Sequence, residues 1–193
     1  MNRAKICSSA NPAQQRISGR HIAAWLGPRE RSAILACAAV AFCVALFRHG
    51  WAEAGTSALL GAITAAITLI DLRHFRIPDL LSLPLIPLGL LAVHLAQAPL
   101  IPHLLALMAV WGLLKLLQWA FLALRGRSGL GSGDVKLMAA AAVWLDPSVL
   151  PTFVLAAAGT ALLEGWLRRV GLQGRIAFGA HLAPWLAVFV MAA

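Results

Sequence analysis

Long apolar blocks separated by short polar segments dominate this sequence. The blocks cover about residues 32–47, 54–70, 77–96, 100–124, 134–145, 148–167 and 176–192. A helix that crosses the hydrocarbon core of a membrane needs about 20 residues, within a range of about 17 to 25. Four blocks meet this length, and the first and the last lie near its lower limit. The pattern predicts an all-α polytopic membrane protein with about seven transmembrane helices.

The block at 134–145 is shorter than the others. A helix of this length does not cross the hydrocarbon core by itself, because each residue adds only about 1.5 Å. Irregular backbone is tolerated at membrane depth only where protein or water satisfies its polar groups. We therefore expect this helix to begin in a wet recess lined by protein rather than in lipid.

Composition excludes the soluble classes of protein. The chain has 193 residues, of which 61% are hydrophobic and 12% charged, whereas a soluble domain has about 25% charged residues. The net charge of +9 is also found in nucleic-acid-binding proteins, but here the basic residues lie in the gaps between apolar blocks. We predict contact with membrane lipid and no nucleic-acid partner. The three cysteines form no C-x-x-C pair, so neither a zinc site nor a disulfide framework is indicated.

The positions of the basic residues predict the orientation in the membrane, because Lys and Arg are enriched in cytoplasmic loops. With a cytoplasmic N-terminus, only Arg48 falls on the outer side, and Lys115 lies within a block. The cytoplasmic side then receives Arg3, Lys5, Arg16, Arg20, Arg29, Arg31, Arg73, Arg76, Arg125, Arg127, Lys136, Arg168, Arg169 and Arg175. This distribution predicts seven spans, with the C-terminus on the outer side.

The domain organisation follows from these blocks. We predict a basic cytoplasmic tail at 1–31, an additional transmembrane helix with a short outer loop at 32–53, and a membrane domain at 54–193. Alternatively, the first block is the apolar region of a cleaved signal peptide that ends at Ala52-Glu53-Ala54. The length of the basic segment and the position of Arg48 disfavour cleavage. Either alternative leaves the later topology unchanged.

The first polar motif follows the second block and runs from Asp71 to Asp79. Pro78 suits the first turn of a new helix, where its missing N–H is not needed, and Asp79 suits the positive end of that helix dipole. Asp71 closes the preceding helix, where the dipole disfavours an anion, so we expect Arg73 and Arg76 to offset this cost. Alternatively, the motif is an ordinary charged loop between two helices.

The second motif has glycines at alternate positions and leads directly into Asp134, at the start of an apolar helix. Glycines allow close approach of another backbone. Asp134 could be a helix N-cap after a flexible linker, because Asp is favoured there. A phosphate-binding loop is excluded, since the motif lacks the G-K-[ST] ending. The loop residues of interest are Gly129, Gly131, Ser132 and Gly133.

The topology places Asp71 and Asp134 at the same membrane boundary. Ionisable residues at membrane depth are costly and usually functional. Two carboxyl groups that share a site do not both ionise easily, so the pair holds one proton. Such a pair can activate water with one member and protonate a leaving nitrogen with the other. The residues therefore favour aspartic peptidase chemistry, which requires no metal or cofactor.

Two segments carry a resemblance to a known family: Asp71 with Arg76-Ile77-Pro78, and Gly131-Ser132-Gly133-Asp134-Val135-Lys136-Leu137. They resemble the paired motifs of type IV prepilin peptidases, which are GxGD intramembrane aspartic proteases. The resemblance covers about residues 54–193. A third segment, 176–180, is similar to the family's P-F-G-P element but lacks both prolines, and Asp79 stands where the family usually has Asn.

The resemblance implies a six-helix protease core preceded by one additional helix. It implies an endopeptidase of the inner membrane that cleaves the basic leader from prepilin or pseudopilin precursors at the cytoplasmic face. Asp71 and Asp134 would be catalytic. The paired C-x-x-C motifs of the bifunctional members are absent, so we expect no N-methyltransferase activity, as in the compact peptidases of tight-adherence (Flp) pilus systems. The remaining site residues would be the loop Gly131, Ser132, Gly133 and Lys136, and the substrate or helix-start contacts Arg73, Arg76, Pro78 and Asp79.

Two alternative functions remain open from the sequence. A transporter or channel could use Asp71 and Asp134 as a proton or cation relay, although relay acids tend to lie near the midplane of the membrane. An inactive scaffold within a pilus assembly is the other alternative. We predict no catalytic role for His94, His103 or His181, which lack metal-ligand spacing.

Overall fold

The structure is a computed structural model that describes residues 26–48, 51–126, 130–169 and 176–192. Most of the predicted basic tail, residues 1–25, lies outside the described residues, as do Arg127, Gly129 and Arg175. All regular secondary structure in the described ranges is α-helical. The helices are α1 (Pro28–Arg48), α2 (Trp51–His74), α3 (Asp79–Ser82), α4 (Leu85–Leu95), α5 (Leu100–Arg125), α6 (Ser132–Trp144), α7 (Leu150–Leu167) and α8 (Gly179–Ala192).

The observed helices confirm an all-α polytopic membrane protein. Four of them, α1, α2, α5 and α7, are long and apolar enough to cross a membrane. The predicted block at 77–96 is divided into α3 and α4 by a turn at Leu83 and Pro84. Proline has no N–H to donate to the preceding turn, so the helix is interrupted there although hydropathy stays high.

The first helix begins earlier than predicted. It starts at Pro28 rather than near residue 32, within the segment assigned to the tail. Proline is favoured at the first helical position, and Glu30 in the first turn complements the helix dipole. Glu30 Oε2 also accepts a hydrogen bond of 2.6 Å from the Gly27 N–H. These local interactions extend the helix beyond its apolar stretch.

Helix α6 lies inside the bundle. Val135 and every residue from Leu137 to Val143 are buried, and α6 packs against α3, α4, α5 and α8. Its buried side chains share one hydrophobic core with the larger residues Leu60, Ile67, Phe153 and Leu186. The enclosure by protein agrees with the expectation that the shortest block does not face lipid.

Helix α1 packs closely along α2. A Cβ added at Gly61 would lie 2.8 Å from the Ala41 Cβ and 3.1 Å from the Cys37 carbonyl oxygen. Small residues let two helix backbones approach in this way. Polar contacts hold both ends of α1. Glu30 pairs with Arg73, and Arg48 donates to the carbonyls of Met191 and Ala192 at 2.7 and 3.2 Å.

We predict that Gly61→Leu separates α1 from α2 and destabilises the protein by about 1 to 3 kcal/mol. The reason is the overlap with α1 at a position that has no free volume. Gly55→Leu is the matched control, because no atom lies within 4 Å of a Cβ at Gly55 in the same helix. Thermal unfolding in detergent measures the difference, and equal melting temperatures of the two variants would contradict the prediction.

The contacts divide the bundle into two ends. The start of α1 meets the end of α2 through Glu30 and Arg73, and the end of α2 meets the start of α8 through Asp71 and Ala180. At the opposite end, Arg48 meets the C-terminal turn of α8. We call the first of these the aspartate end, defined by Asp71 and Asp134.

Candidate functional site

Asp71 lies in the last turn of α2 and is 4% exposed. The helix dipole is unfavourable for an anion at this position. Its Oδ2 accepts a hydrogen bond of 2.9 Å from the Ala180 N–H, and the Gly179 N–H also donates to this carboxylate. Because both donors belong to the first turn of α8, the positive end of that helix compensates the unfavourable end of α2.

This arrangement corrects one expectation from the sequence. Arg73 was expected to offset the charge of Asp71, but its guanidinium pairs with Glu30 of α1. Arg76 is exposed in the segment between α2 and α3. The Ala180 N–H of α8 donates to Asp71, from the 176–180 segment that resembles the family's late element without its prolines.

Asp134 is the third residue of α6, and Gly131 is the N-cap. The Gly131 N–H donates a hydrogen bond to the Asp134 carboxylate. An acidic side chain that returns to the N-cap N–H is one half of a capping box. A Cβ at Gly131 would lie 2.8 Å from Asp134 Oδ2, so a larger residue there would displace this carboxylate.

Ile77 lies between the start of α6 at Gly133 and the start of α8 at Gly179, which is next to Asp71. A Cβ at Gly133 would lie 2.9 Å from the Ile77 Cβ. A Cβ at Gly179 would overlap Ile77 Cδ1 and lie 3.0 Å from Asp71 Oδ2. Asp71 and Asp134 are close enough to interact electrostatically. The structure therefore brings the end of α2 with Asp71, the start of α6 with Asp134 and the start of α8 with Gly179 together around one isoleucine.

Lys136 pairs with Asp79, with 2.6 Å between Nζ and Oδ1. The expected rotation of about 200° between Asp134 and Lys136 along an α-helix directs the lysine toward the start of α3. Pro78 is buried and is the N-cap of α3. This ion pair joins the two motifs, and the spacing of residues in the sequence gave no sign of it.

A side chain of α5 contacts Leu130, just before the start of α6. The Gln118 Nε2 donates a hydrogen bond of 3.0 Å to the carbonyl of Leu130. Lys115 Nζ in turn donates to Gln118 Oε1 at 3.1 Å. Ser132, the first residue of α6, is exposed. A glutamine in an apolar helix, itself bonded to a lysine of the same helix, therefore contacts the segment that leads to Asp134.

His181 has a position that the sequence did not indicate. It is close enough to Asp71 to interact electrostatically, and its Nε2 lies 2.5 Å from Glu164 Oε2. Glu164 also receives Arg168 Nε at 2.8 Å. Neither residue stands in a recognisable motif, and 17 positions separate them, so only the packing of α7 against α8 brings them together. Within the described ranges, no three His, Cys, Asp or Glu side chains form a group that could hold a metal ion.

Comparison with known proteins gives matches to leader peptidases. Residues 58–165 match the model of the type IV leader peptidase family. The chain is 42% identical over 142 residues to the prepilin leader peptidase/N-methyltransferase of Dickeya chrysanthemi. The aligned region covers 68% of this chain and 48% of that protein. The protein of the same name from Aeromonas salmonicida strain A449 is 38% identical over 148 residues, with 72% and 50% covered.

A relative with the same name from Burkholderia pseudomallei strain 1026b matches a longer part of the chain. It is 34% identical over 175 residues, which cover 85% of this chain and 55% of that protein. The chain therefore spans about half the length of these curated relatives. No solved structure shows a significant match.

Proposed function

The chain belongs to the type IV leader peptidase family, and we propose that it is an aspartic endopeptidase that removes the basic leader from prepilin or pseudopilin precursors. The observation that carries this proposal is the convergence of Asp71 and Asp134 around Ile77. Four long apolar helices and the family identify a multi-pass protein of the inner membrane.

In the proposed reaction, the two carboxyl groups share one proton. The ionised member takes a proton from a water molecule, whose oxygen attacks the carbonyl carbon of the scissile bond. The protonated member stabilises the resulting tetrahedral oxyanion. When the C–N bond breaks, a proton passes to the leaving nitrogen, and the pair returns to its starting state with one proton. No covalent intermediate with the enzyme and no metal is needed.

The hydrogen bonds around each aspartate differ in a way that supports separate roles. Asp71 accepts backbone hydrogen bonds from a neighbouring helix, whereas Asp134 accepts one from its own N-cap. The loop of Gly131, Ser132 and Gly133 would shape the site around an extended substrate. Arg73, Arg76, Asp79 and Lys136 would surround its entrance.

We propose that the aspartate end is cytoplasmic. The start of α1, which follows the basic N-terminal segment, lies at this end, and the last turn of α8 lies at the opposite one. The basic residues of the connecting segments favour a cytoplasmic N-terminus and hence an outer C-terminus. A leader peptide, which remains in the cytoplasm, would then lie on the same side as the aspartate pair.

Cleavage of a purified precursor tests the proposal. The protein is reconstituted in liposomes with a prepilin that carries a short basic leader, and the masses of the products identify the bond that is cut. We expect cleavage between the leader and the apolar helix, at the same rate with and without EDTA. A folded protein that leaves several such precursors intact, but carries a proton flux that depends on Asp71, would contradict the proposal and favour the relay.

A further inference from the structure

Two side-chain hydrogen bonds connect α7 and α8 in the same register. Trp185 Nε1 donates to Thr160 Oγ1 at 3.2 Å, and His181 Nε2 lies 2.5 Å from Glu164 Oε2. The paired positions are four residues apart on each helix, so both bonds lie on one face of each helix. The two contacts fix the rotation and the axial position of α8 relative to α7.

The His181–Glu164 contact is the one nearer to the aspartate end. His181 directly follows Ala180, whose N–H donates to Asp71. Its side chain is 17% exposed and that of Glu164 is 20% exposed. An ionisable pair at the end of a helix that can cross a membrane is costly to keep, and such residues are usually functional.

The first turn of α8 has a particular need for support from outside the helix. Pro184 lies within α8, and a proline has no N–H to donate to the carbonyl four residues earlier. The regular backbone bond to the Ala180 carbonyl is therefore missing. The turn that carries both N–H donors to Asp71 depends more than usual on its side-chain contacts.

We propose that His181 and Glu164 are a positioning pair, which fixes the first turn of α8 so that the Gly179 and Ala180 N–H groups remain directed at Asp71. The pair acts through the backbone of α8 and does not touch the substrate. This inference rests on the proposed function, since it assigns the pair to the geometry of the same aspartate.

Four variants separate this role from ordinary packing. His181→Leu removes the contact with Glu164 and keeps a similar volume. His181→Gln keeps a donor near the position of Nε2. Trp185→Phe removes the hydrogen bond to Thr160 between the same helices, one turn further from Asp71. The double variant E164L/H181L removes both partners, so the partly buried Glu164 carboxylate is not left without its His181 contact, which guards against simple misfolding.

Two measurements are made on each variant of the whole chain in detergent. For H181L and E164L/H181L, we expect kcat for leader cleavage to fall about tenfold or more, with KM changed by less than about threefold. H181Q and W185F should keep kcat within about threefold of the unchanged protein. Hydrogen exchange of peptides that contain Gly179 and Ala180 should accelerate about tenfold in the first two variants only.

The outcomes separate the two proposals. Unchanged kcat and unchanged exchange in H181L would overturn the positioning role, and so would a W185F variant that loses as much as H181L. A loss of kcat without faster exchange would also overturn it. If the unchanged protein cleaves no precursor, the proposed function fails, while the exchange measurement still decides whether the pair fixes the turn.

Discussion

Asp71→Asn and Asp134→Asn are each expected to lower the rate of leader cleavage about a thousandfold or more, while the protein still inserts and folds. Asparagine has nearly the shape of aspartate but neither takes up nor releases a proton at the site. Asp71→Asn keeps an oxygen for the Ala180 N–H, so the packing of α8 against α2 should survive. Initial rates on a purified precursor and thermal unfolding in detergent measure the two effects separately.

Asp146→Asn is the matched control for this pair. Asp146 is an exposed carboxylate in the loop between α6 and α7, where its Oδ1 accepts hydrogen bonds from the N–H and the hydroxyl of Ser148. Its replacement should leave the cleavage rate within about twofold, since exposed substitutions usually change free energies by no more than about 0.5 kcal/mol. Full activity of either Asp71→Asn or Asp134→Asn would rule out the shared-proton mechanism.

Gly179→Ala should have the second-largest effect. The added Cβ would overlap Ile77 Cδ1 and lie 2.9 Å from Ile77 Cγ1 and 3.0 Å from Asp71 Oδ2. A displacement of α8 by as little as 1 Å moves the N–H donors away from Asp71, and misplacement of this size can cost about a hundredfold in rate. We expect a loss of tenfold to a hundredfold in kcat, on the order that such displacements cause.

Two further variants test the cause of this loss. Gly159→Ala adds the same methyl group to α7, where no atom lies within 4 Å of the new Cβ, and should keep the activity within about twofold. Ile77→Val combined with Gly179→Ala removes the Cδ1 atom that overlaps the new Cβ, and should recover part of the rate. An active Gly179→Ala single variant would show that the contact with Ile77 tolerates expansion.

The helices could be predicted from the sequence because hydrophobic blocks of spanning length report directly on the lipid environment. The interruption between α3 and α4 was not predicted, although Pro84 marks it, because hydropathy does not fall at the turn. The early start of α1 at Pro28 was missed for a related reason. It depends on local capping by Glu30 rather than on apolar content.

The placement of the two aspartates at one membrane boundary also followed from the sequence, since the basic residues assigned both to one side of the membrane. The hydrogen-bond and ion-pair partners at this site did not follow from the sequence. The Ala180 N–H, the Lys136–Asp79 pair and the His181–Glu164 pair each depend on how one helix is rotated and shifted against another. A single sequence contains no period or spacing that reports such a register, so these contacts required the three-dimensional arrangement.

The attachment of α1 has a consequence for how the protein assembles in the membrane. In a two-stage process, each helix first inserts independently, and the inserted helices then associate. The close contact at Gly61 and the polar contacts of Glu30 and Arg48 all act in the second stage. Helix α1 therefore joins the bundle in the second stage, through these lateral contacts with α2 and α8.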